Sequence, residues 1–516
     1  MRKLTVLLFA LLYAYNTTAA SIELTTPQGV MIGDKQGTIA SFKSIPFATP
    51  PVGNRRWKAP ETAPNWTGKR TATEFSPACA QVPYAQGSMF SRPHLPSSED
   101  CLYLNVWTSQ LEGDKPLPVM VWIHGGALTR GSGATNIYEG TKLAQKGVVV
   151  VTINYRLGAF GYMAHPELSS ESANASSGNY GTLDQISALE WVQNNIAAFG
   201  GDPKNVTIFG ESAGSWSVNH LTASPLAAGL FHKAIGQSGA KFDPMPLLKK
   251  VANNVASAES VGVRFSKHLG AENIQQLRDL TAENILTGFD SFQAGGFSQP
   301  NVDGHVFPDH IANIYKNGQQ NKVSLILGSN ADEGKNLIPP PTDKAKSLQY
   351  FKFTGGEHSA ELLSAYDFEK NPMAASYGVF RDMVFTWNMS EWASLAAKSK
   401  QDTWLYYFSF APPSPMNGRL GAYHAAEIRY AFNNEHVMFG EGTPNQAEEK
   451  LGKQMSDYWV SFAKTGEPSS KGHAQWTRYS AEAKNYMRFD KELKLEQDLL
   501  STELEVVAKV QAAAWK

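Results

Sequence analysis

The chain is nearly without cysteine: 516 residues contain two, Cys79 and Cys101, so at most one disulfide can form. An excess of charge of either sign is missing too, since 46 basic residues face 47 acidic ones with no long run of either. That removes the electrostatic footprint that nucleic acid or an anionic membrane would require. No apolar run is long enough to span a bilayer, and the C-terminus, Gln511 to Lys516, lacks the hydrophobic tail of a lipid-anchor signal. No His-Glu-x-x-His or comparable ligand cluster occurs, so neither a metal nor a cofactor is expected. Internal repeats and low-complexity tracts are also absent. What remains is a soluble chain, expected to be monomeric, acting on a small molecule.

Apolar residues make up 42% of the chain, including 12 Trp, 19 Tyr and 26 Phe, enough to bury a large core and exclude global disorder. Residues 1–20 read as a secretory signal peptide: Arg2 and Lys3, an apolar run from Leu4 to Leu12 extended by Tyr13 to Tyr15, and a cut near Ala20. Export, secreted or periplasmic, is the expectation, with 21–516 as a single domain. In an oxidising compartment Cys79 and Cys101 most simply pair, closing a loop worth about 3 kcal/mol. Two free buried thiols are the alternative.

From Ile22 to Phe47 the pattern alternates and turns at Pro27-Gln28-Gly29 and Gly33-Asp34, predicting a small peripheral hairpin. Pro46, Pro50 and Pro51, followed by Arg55, Arg56 and Trp57, read as a packed loop. Short β-rich runs follow at Leu102 to Trp107, Pro118 to Ile123 and Val148 to Ile153, the last apolar throughout, as in a strand covered on both faces. Ile186, Leu189, Val192, Ile196 and Phe199 have helical spacing, which predicts a helix over 184–199 with Asp184 near its N-terminus. Further strands are expected at Val206 to Phe209, Ala234 to Gln237, Val323 to Leu327 and Thr403 to Phe410. The alternation predicts an α/β fold with a central sheet flanked by helices. Two insertions, about 249–300 and 339–400, are expected to lie over its carboxyl edge as cap and pocket wall; the first is helical in pattern, and the Pro339 to Ala375 part of the second is rich in Gly, Pro and polar residues. Leu451, Met455, Tyr458, Trp459 and Phe462 read as the packing face of a core helix.

Gly210-Glu211-Ser212-Ala213-Gly214 directly follows an apolar strand. A serine between two glycines there suits a sharp strand-to-helix turn that lifts the hydroxyl above a sheet, although Gly-x-Ser-x-Gly also arises by chance in ordinary loops. A hydroxyl is a weak nucleophile, so a reactive Ser212 needs a base and an acid to hold that base, in the order serine, acid, histidine. Glu333, one strand downstream in Asn330-Ala331-Asp332-Glu333-Gly334, is the candidate acid; Asp332 is its neighbour, and either could simply cap a helix. His424, between Gly421-Ala422 and Ala425-Ala426, is the candidate base ahead of His358, His436 and His473. His124-Gly125-Gly126-Ala127-Leu128, after the strand ending at Ile123, could present backbone N–H groups to an oxyanion, or could be a plain tight turn.

Two runs carry a family resemblance: Phe199-Gly200-Gly201-Asp202-Pro203 through Ile208-Phe209-Gly210-Glu211-Ser212-Ala213-Gly214, and Glu99-Asp100-Cys101-Leu102-Tyr103-Leu104-Asn105-Val106. They resemble the signatures of type-B carboxylesterases, a family of α/β-hydrolase fold. Asn154-Tyr155-Arg156-Leu157-Gly158, Gly178-Asn179-Tyr180-Gly181, Asp303-Gly304 and His424-Ala425-Ala426-Glu427 extend the likeness in order along the chain. The resemblance implies a serine esterase that forms an acyl-enzyme. It assigns Ser212 as nucleophile, Glu333 as acid and His424 as base, with the N–H groups of Gly126, Ala127 and Ala213 as oxyanion donors. It further implies supporting roles for Ser238 and Glu211 and a disulfide between Cys79 and Cys101. Ala127 stands where many members have a third glycine, placing a methyl toward the acyl side. No Trp lies between Cys79 and Cys101, and Phe90 offers a weaker face to a cation, so choline esters are not expected as the special substrate. A lipase preferring long acyl chains, or a relative that keeps the fold only for binding, are the other readings.

Overall fold

The computed structural model describes residues 20–84, 96–292, 299–339, 343–413, 419–434, 444–469 and 471–515. Residues 1–19, most of the expected signal peptide 1–20, together with Phe90 and His436 lie outside them.

One sheet of 13 strands organises the fold. In chain order its strands are β1 (Ala20–Thr26), β2 (Gly29–Gln36), β3 (Ile39–Pro46), β4 (Lys69–Thr71), β5 (Tyr103–Thr108), β6 (Leu117–Ile123) and β7 (Val149–Ile153). They continue with β8 (Gly201–Glu211), β9 (Lys233–Gln237), β10 (Ser324–Asn330), β11 (Thr403–Phe408), β12 (Tyr486–Phe489) and β13 (Lys494–Glu496). The spatial order is β1-β2-β3-β5-β7-β6-β8-β9-β10-β11-β12-β13, with β4 on β2. From β7 through β12 every pair is parallel, and antiparallel strands finish both edges. Residues 20–46 are therefore not a peripheral hairpin. They form three antiparallel strands that join the sheet where β3 pairs with β5.

The central strands are buried along most of their length and largely apolar there, because both faces are covered. Side chains alternate across a strand, so Val119, Val121 and Ile123 enter one core layer and Met120 and Trp122 the other. Leu189, Val192 and Ile196 cover the first face, while Leu451, Met455, Tyr458, Trp459 and Phe462 cover the second. Trp122 anchors that second layer with edge contacts to Phe209 and Phe432, ring centres 4.9 and 5.0 Å away.

The helix expected at 184–199 begins earlier, at Tyr180, and ends in a 3₁₀ turn at Phe199. Asp184 is thus a full turn inside it and performs a different task. Fully buried, it accepts from Arg156 Nε at 2.8 Å, Nη2 at 2.7 Å and the backbone N–H at 3.0 Å. The fixed fork of Arg matches the two carboxylate oxygens, which offsets the desolvation of both ions.

The first insertion folds as three helices, Ala258–His268, Ile274–Asp279 and Ala282–Ser291, each with an N-cap side chain: Ser257, Asn273 and Thr281. They pack against Trp57, Phe160 and Tyr180. The second insertion departs from its Gly-Pro-polar appearance. Asp343 and Asn371 cap helices Lys344–Gly355 and Pro372–Arg381, and Gly356, at φ +51°, marks the end of the first. A π-turn at Asp382–Thr386 leads into helix Trp387–Lys398. Phe351, Leu362, Phe368 and Val379 form a small core with Val506, Val507 and Val510, so apolar residues spaced through the segment outweigh its turn-forming composition.

Candidate active site

At the end of β8 the chain reverses through Ser212, at φ +56° and ψ −124°, into helix Ala213–Ala223. That conformation costs a non-glycine residue roughly 1–3 kcal/mol and persists only because its surroundings enforce it. The enforcement is visible. Ser212 N–H donates to Gln237 O at 2.9 Å, and the flanking glycines are sterically required. A Cβ at Gly214 would stand 2.0 Å from Ile123 O, one at Gly210 would meet the Gly214 backbone at 2.6 Å, and one at Gly239 would meet Ser212 O at 2.4 Å.

Two strands over, β10 leads through Ala331 and Asp332 to Glu333, fully buried. Its Oε1 accepts the Asn330 N–H at 2.7 Å, and its Oε2 accepts from His424 Nδ1 at 2.6 Å. A carboxylate can only accept there, so the proton sits on Nδ1 and Nε2 faces the cavity side of the ring. Asp332 does not compete for the imidazole: its Oδ2 accepts the Ala422 N–H at 2.9 Å, and its Oδ1 pairs with Lys335. Asn336 secures the histidine backbone, accepting from His424 N–H at 3.1 Å and donating to His424 O at 3.1 Å. Phe385, brought in by the π-turn, lies against the imidazole with ring centres 4.7 Å apart. The other histidines pair elsewhere, His358 with Glu361 and His473 with Asp457.

Nε2 of His424 faces Glu211 Oε1 at 3.1 Å, and among the described residues no hydrogen bond joins it to Ser212 Oγ. Glu427 completes the cluster. It accepts from Asn330 Nδ2 at 2.5 Å and from Gln237 Nε2 at 3.2 Å. Burial alone would pull the His424 pKa down, but the charges of Glu211, Glu333 and Glu427 outweigh it and lift the ring to about 9. Burial pushes the Glu211 carboxyl well above the usual range, with Glu427 and Glu333 adding to the effect. Glu427 is raised to about 7, by burial first and Glu333 next. Burial and mutual repulsion thus favour the neutral forms of the Glu211 and Glu427 carboxyls beside the imidazole.

Ser212, Glu211 and His424 open onto a cavity of about 390 Å³. Gly125, Gly126 and Ala127 line it together with Tyr84, Arg130 and Tyr423. Gly126 has φ +108° and Ala127 φ +56°, and Ala127 is exposed to the cavity. A Cβ at Gly125 would lie 2.7 Å from Glu211 O, so only glycine lets this turn approach the serine. Ala213 begins the helix beside it, with its N–H in the first turn. His124, in the same turn, is buried and stacks on Tyr155; burial lowers it to about 4, keeping it neutral. The described residues that line this cavity come from outside both insertions, while the second insertion brings Phe385 against His424. Ser238 is fully buried at φ +53°, with its N–H on Gly328 O and its Oγ without a partner among the described residues. Cys79 and Cys101 form a disulfide.

Sequence reading passed over Glu427, Asn330, Asn336 and Phe385. A charged residue three positions after His424 within an apolar stretch was a usable signal for Glu427. Nothing local marks the others, which reach the site through tertiary contacts.

The parallel sheet, the strained turn after β8 and the acid and histidine loops after β10 and β11 define an α/β-hydrolase. The model of the carboxylesterase family matches residues 20–507, and the chain belongs to that family. It is a carboxylic ester hydrolase. Among its relatives, fumonisin B1 esterase of Sphingopyxis macrogoltabida is 37% identical, over 86% of this chain and 82% of its own length. Para-nitrobenzyl esterase of Bacillus subtilis is 35% identical, over 92% and 96%. A solved PNB esterase superposes with a TM-score of 0.81 at 33% identity, covering 94% of this chain and 99% of its own.

Proposed function

We propose that the protein is an exported serine carboxylesterase that cleaves small carboxylic esters through an acyl-enzyme at Ser212. The observation that carries this reading is the 2.6 Å contact between Glu333 Oε2 and His424 Nδ1 beside a serine held at φ +56°. Ser212 Oγ attacks the ester carbonyl carbon while its proton passes to His424 Nε2. The N–H groups of Gly126, Ala127 and Ala213 receive the oxyanion, each worth about 3–4 kcal/mol in the transition state. Collapse expels the alcohol, which takes the proton from His424. Water then attacks the acyl-enzyme with the same base, releasing the acid and restoring Ser212. Glu333 fixes the tautomer that leaves Nε2 as acceptor. Ser238 and Glu211 are assigned supporting parts, Glu211 through its contact with the imidazole. Export rests on the leader-like residues 1–20 and fits the disulfide.

Rapid mixing with a p-nitrophenyl ester tests the acyl-enzyme. A burst of p-nitrophenolate equal to the enzyme concentration, followed by slower turnover, is expected where deacylation limits. Failure of hydroxylamine to divert the acyl group into a hydroxamate would count against a covalent intermediate.

A further inference from the structure

The cavity that holds Ser212 and His424 is also lined by an arginine with no counter-charge among the described residues. Arg130 is half-buried, and its backbone N–H donates to Gly126 O at 3.0 Å, one turn from the residues assigned to the oxyanion. Its position is fixed from the other side as well. Gln81, two residues beyond Cys79, accepts the Gly131 N–H at 2.8 Å and donates to Gly131 O at 2.8 Å, tying the disulfide loop to the residue next to Arg130. The guanidinium stands 5.2 Å from the centre of the Tyr84 ring, which also lines the cavity.

Elsewhere the fully buried arginines and half-buried Arg381 have a carboxylate, whereas half-buried Arg70, away from the cavity, has none among the described residues and lies over Trp66 and Tyr103. Arg56 has Glu99, Arg156 has Asp184, Arg381 has Asp382 and Arg429 has Glu448. Arg130 enters no ion pair among the described residues, and its Nε is buried without a hydrogen-bond partner. A half-buried arginine in the cavity wall, its guanidinium over an aromatic ring that also lines the cavity, offers a receptor for a planar anion.

We propose that Arg130 is a specificity residue that pairs with a free carboxylate on the substrate, so that the preferred esters are anionic and carry a second carboxyl near the scissile ester. The inference rests on the reading of this cavity as the ester site. The carboxylate can sit on the acyl or the alcohol half of the ester, and paired substrates separate the two.

The test compares kcat/KM for mono-p-nitrophenyl glutarate with p-nitrophenyl pentanoate, and for 3-carboxyphenyl butyrate with phenyl butyrate. The wild type is expected to favour the anionic member of at least one pair by about 10- to 100-fold, the range for a charge-assisted pair. Arg130→Gln is expected to bring that ratio close to one, largely through KM, and Arg130→Lys to leave it intermediate. Added salt is expected to lower the wild-type ratio, a readout that holds even if Arg130→Gln fails to fold. Ratios at or below one in both pairs, a ratio indifferent to salt, or a ratio unchanged in Arg130→Gln overturns the proposal while leaving the esterase reading intact. A wild type that hydrolyses none of the four esters overturns the esterase reading and this inference with it.

Discussion

Glu211, in the turn that carries Ser212, sets its Oε1 3.1 Å from His424 Nε2. Burial holds the Glu211 carboxyl well above the usual range, and of the neighbouring charges it is the one that raises the imidazole most. Nε2 is also the atom that must take the Ser212 proton. Glu211 therefore tunes the base of the proposed reaction directly.

The pH dependence of kcat/KM should show it. An ionised carboxylate beside the ring favours the imidazolium and so raises its pKa; the working, neutral form then appears only at higher pH. The acidic limb is expected to have its midpoint above the ordinary imidazole value of about 6.5. Glu211→Gln removes the largest of the raising charges and is expected to move that midpoint toward acid. A midpoint unmoved in this variant contradicts the assignment.

Asn336 positions the histidine by binding both polar groups of its backbone. Asn336→Ala is expected to lower kcat by about 10- to 100-fold with little change in KM, because a misplaced base loses its alignment rather than its affinity for substrate. Steady-state kinetics beside a thermal melt separates this from general destabilisation.

Ala127 occupies a left-handed backbone position in the turn assigned to the oxyanion, with its methyl in the cavity. Ala127→Gly keeps the N–H and removes the methyl. It is expected to raise kcat/KM for branched, bulky esters relative to acetate esters by several-fold. An unchanged ratio across an ester series would mean that another residue sets the size limit.

The Asp184–Arg156 pair is a stability element rather than a helix cap. Asp184→Ala strands a buried guanidinium and is expected to cost about 3–5 kcal/mol in urea unfolding. A loss below about 1 kcal/mol would show that the site admits water.

Much of the framework was legible because its signals are local. The apolar strands flanking Ser212 and the helical spacing of Leu451 to Phe462 lie in short windows of sequence. Misreadings arose where a tertiary partner decided the outcome. Asp184 resembles a helix-start acid until Arg156 is placed beside it, and residues 20–46 resemble a detached hairpin until β3 meets β5. The walls of the site were least legible. Tyr84, Arg130, Asn336 and Tyr423 come from four separate loops, and only the folded chain brings them around one cavity.

The central claim is that Ser212 is the nucleophile, and covalent labelling tests it most directly. After treatment with a fluorophosphonate, intact mass and peptide mapping are expected to show one adduct per chain, on Ser212, with loss of p-nitrophenyl ester hydrolysis in step with labelling. Folded Ser212→Ala should neither label nor turn over substrate. An adduct on another residue, or turnover retained by Ser212→Ala, would contradict the account.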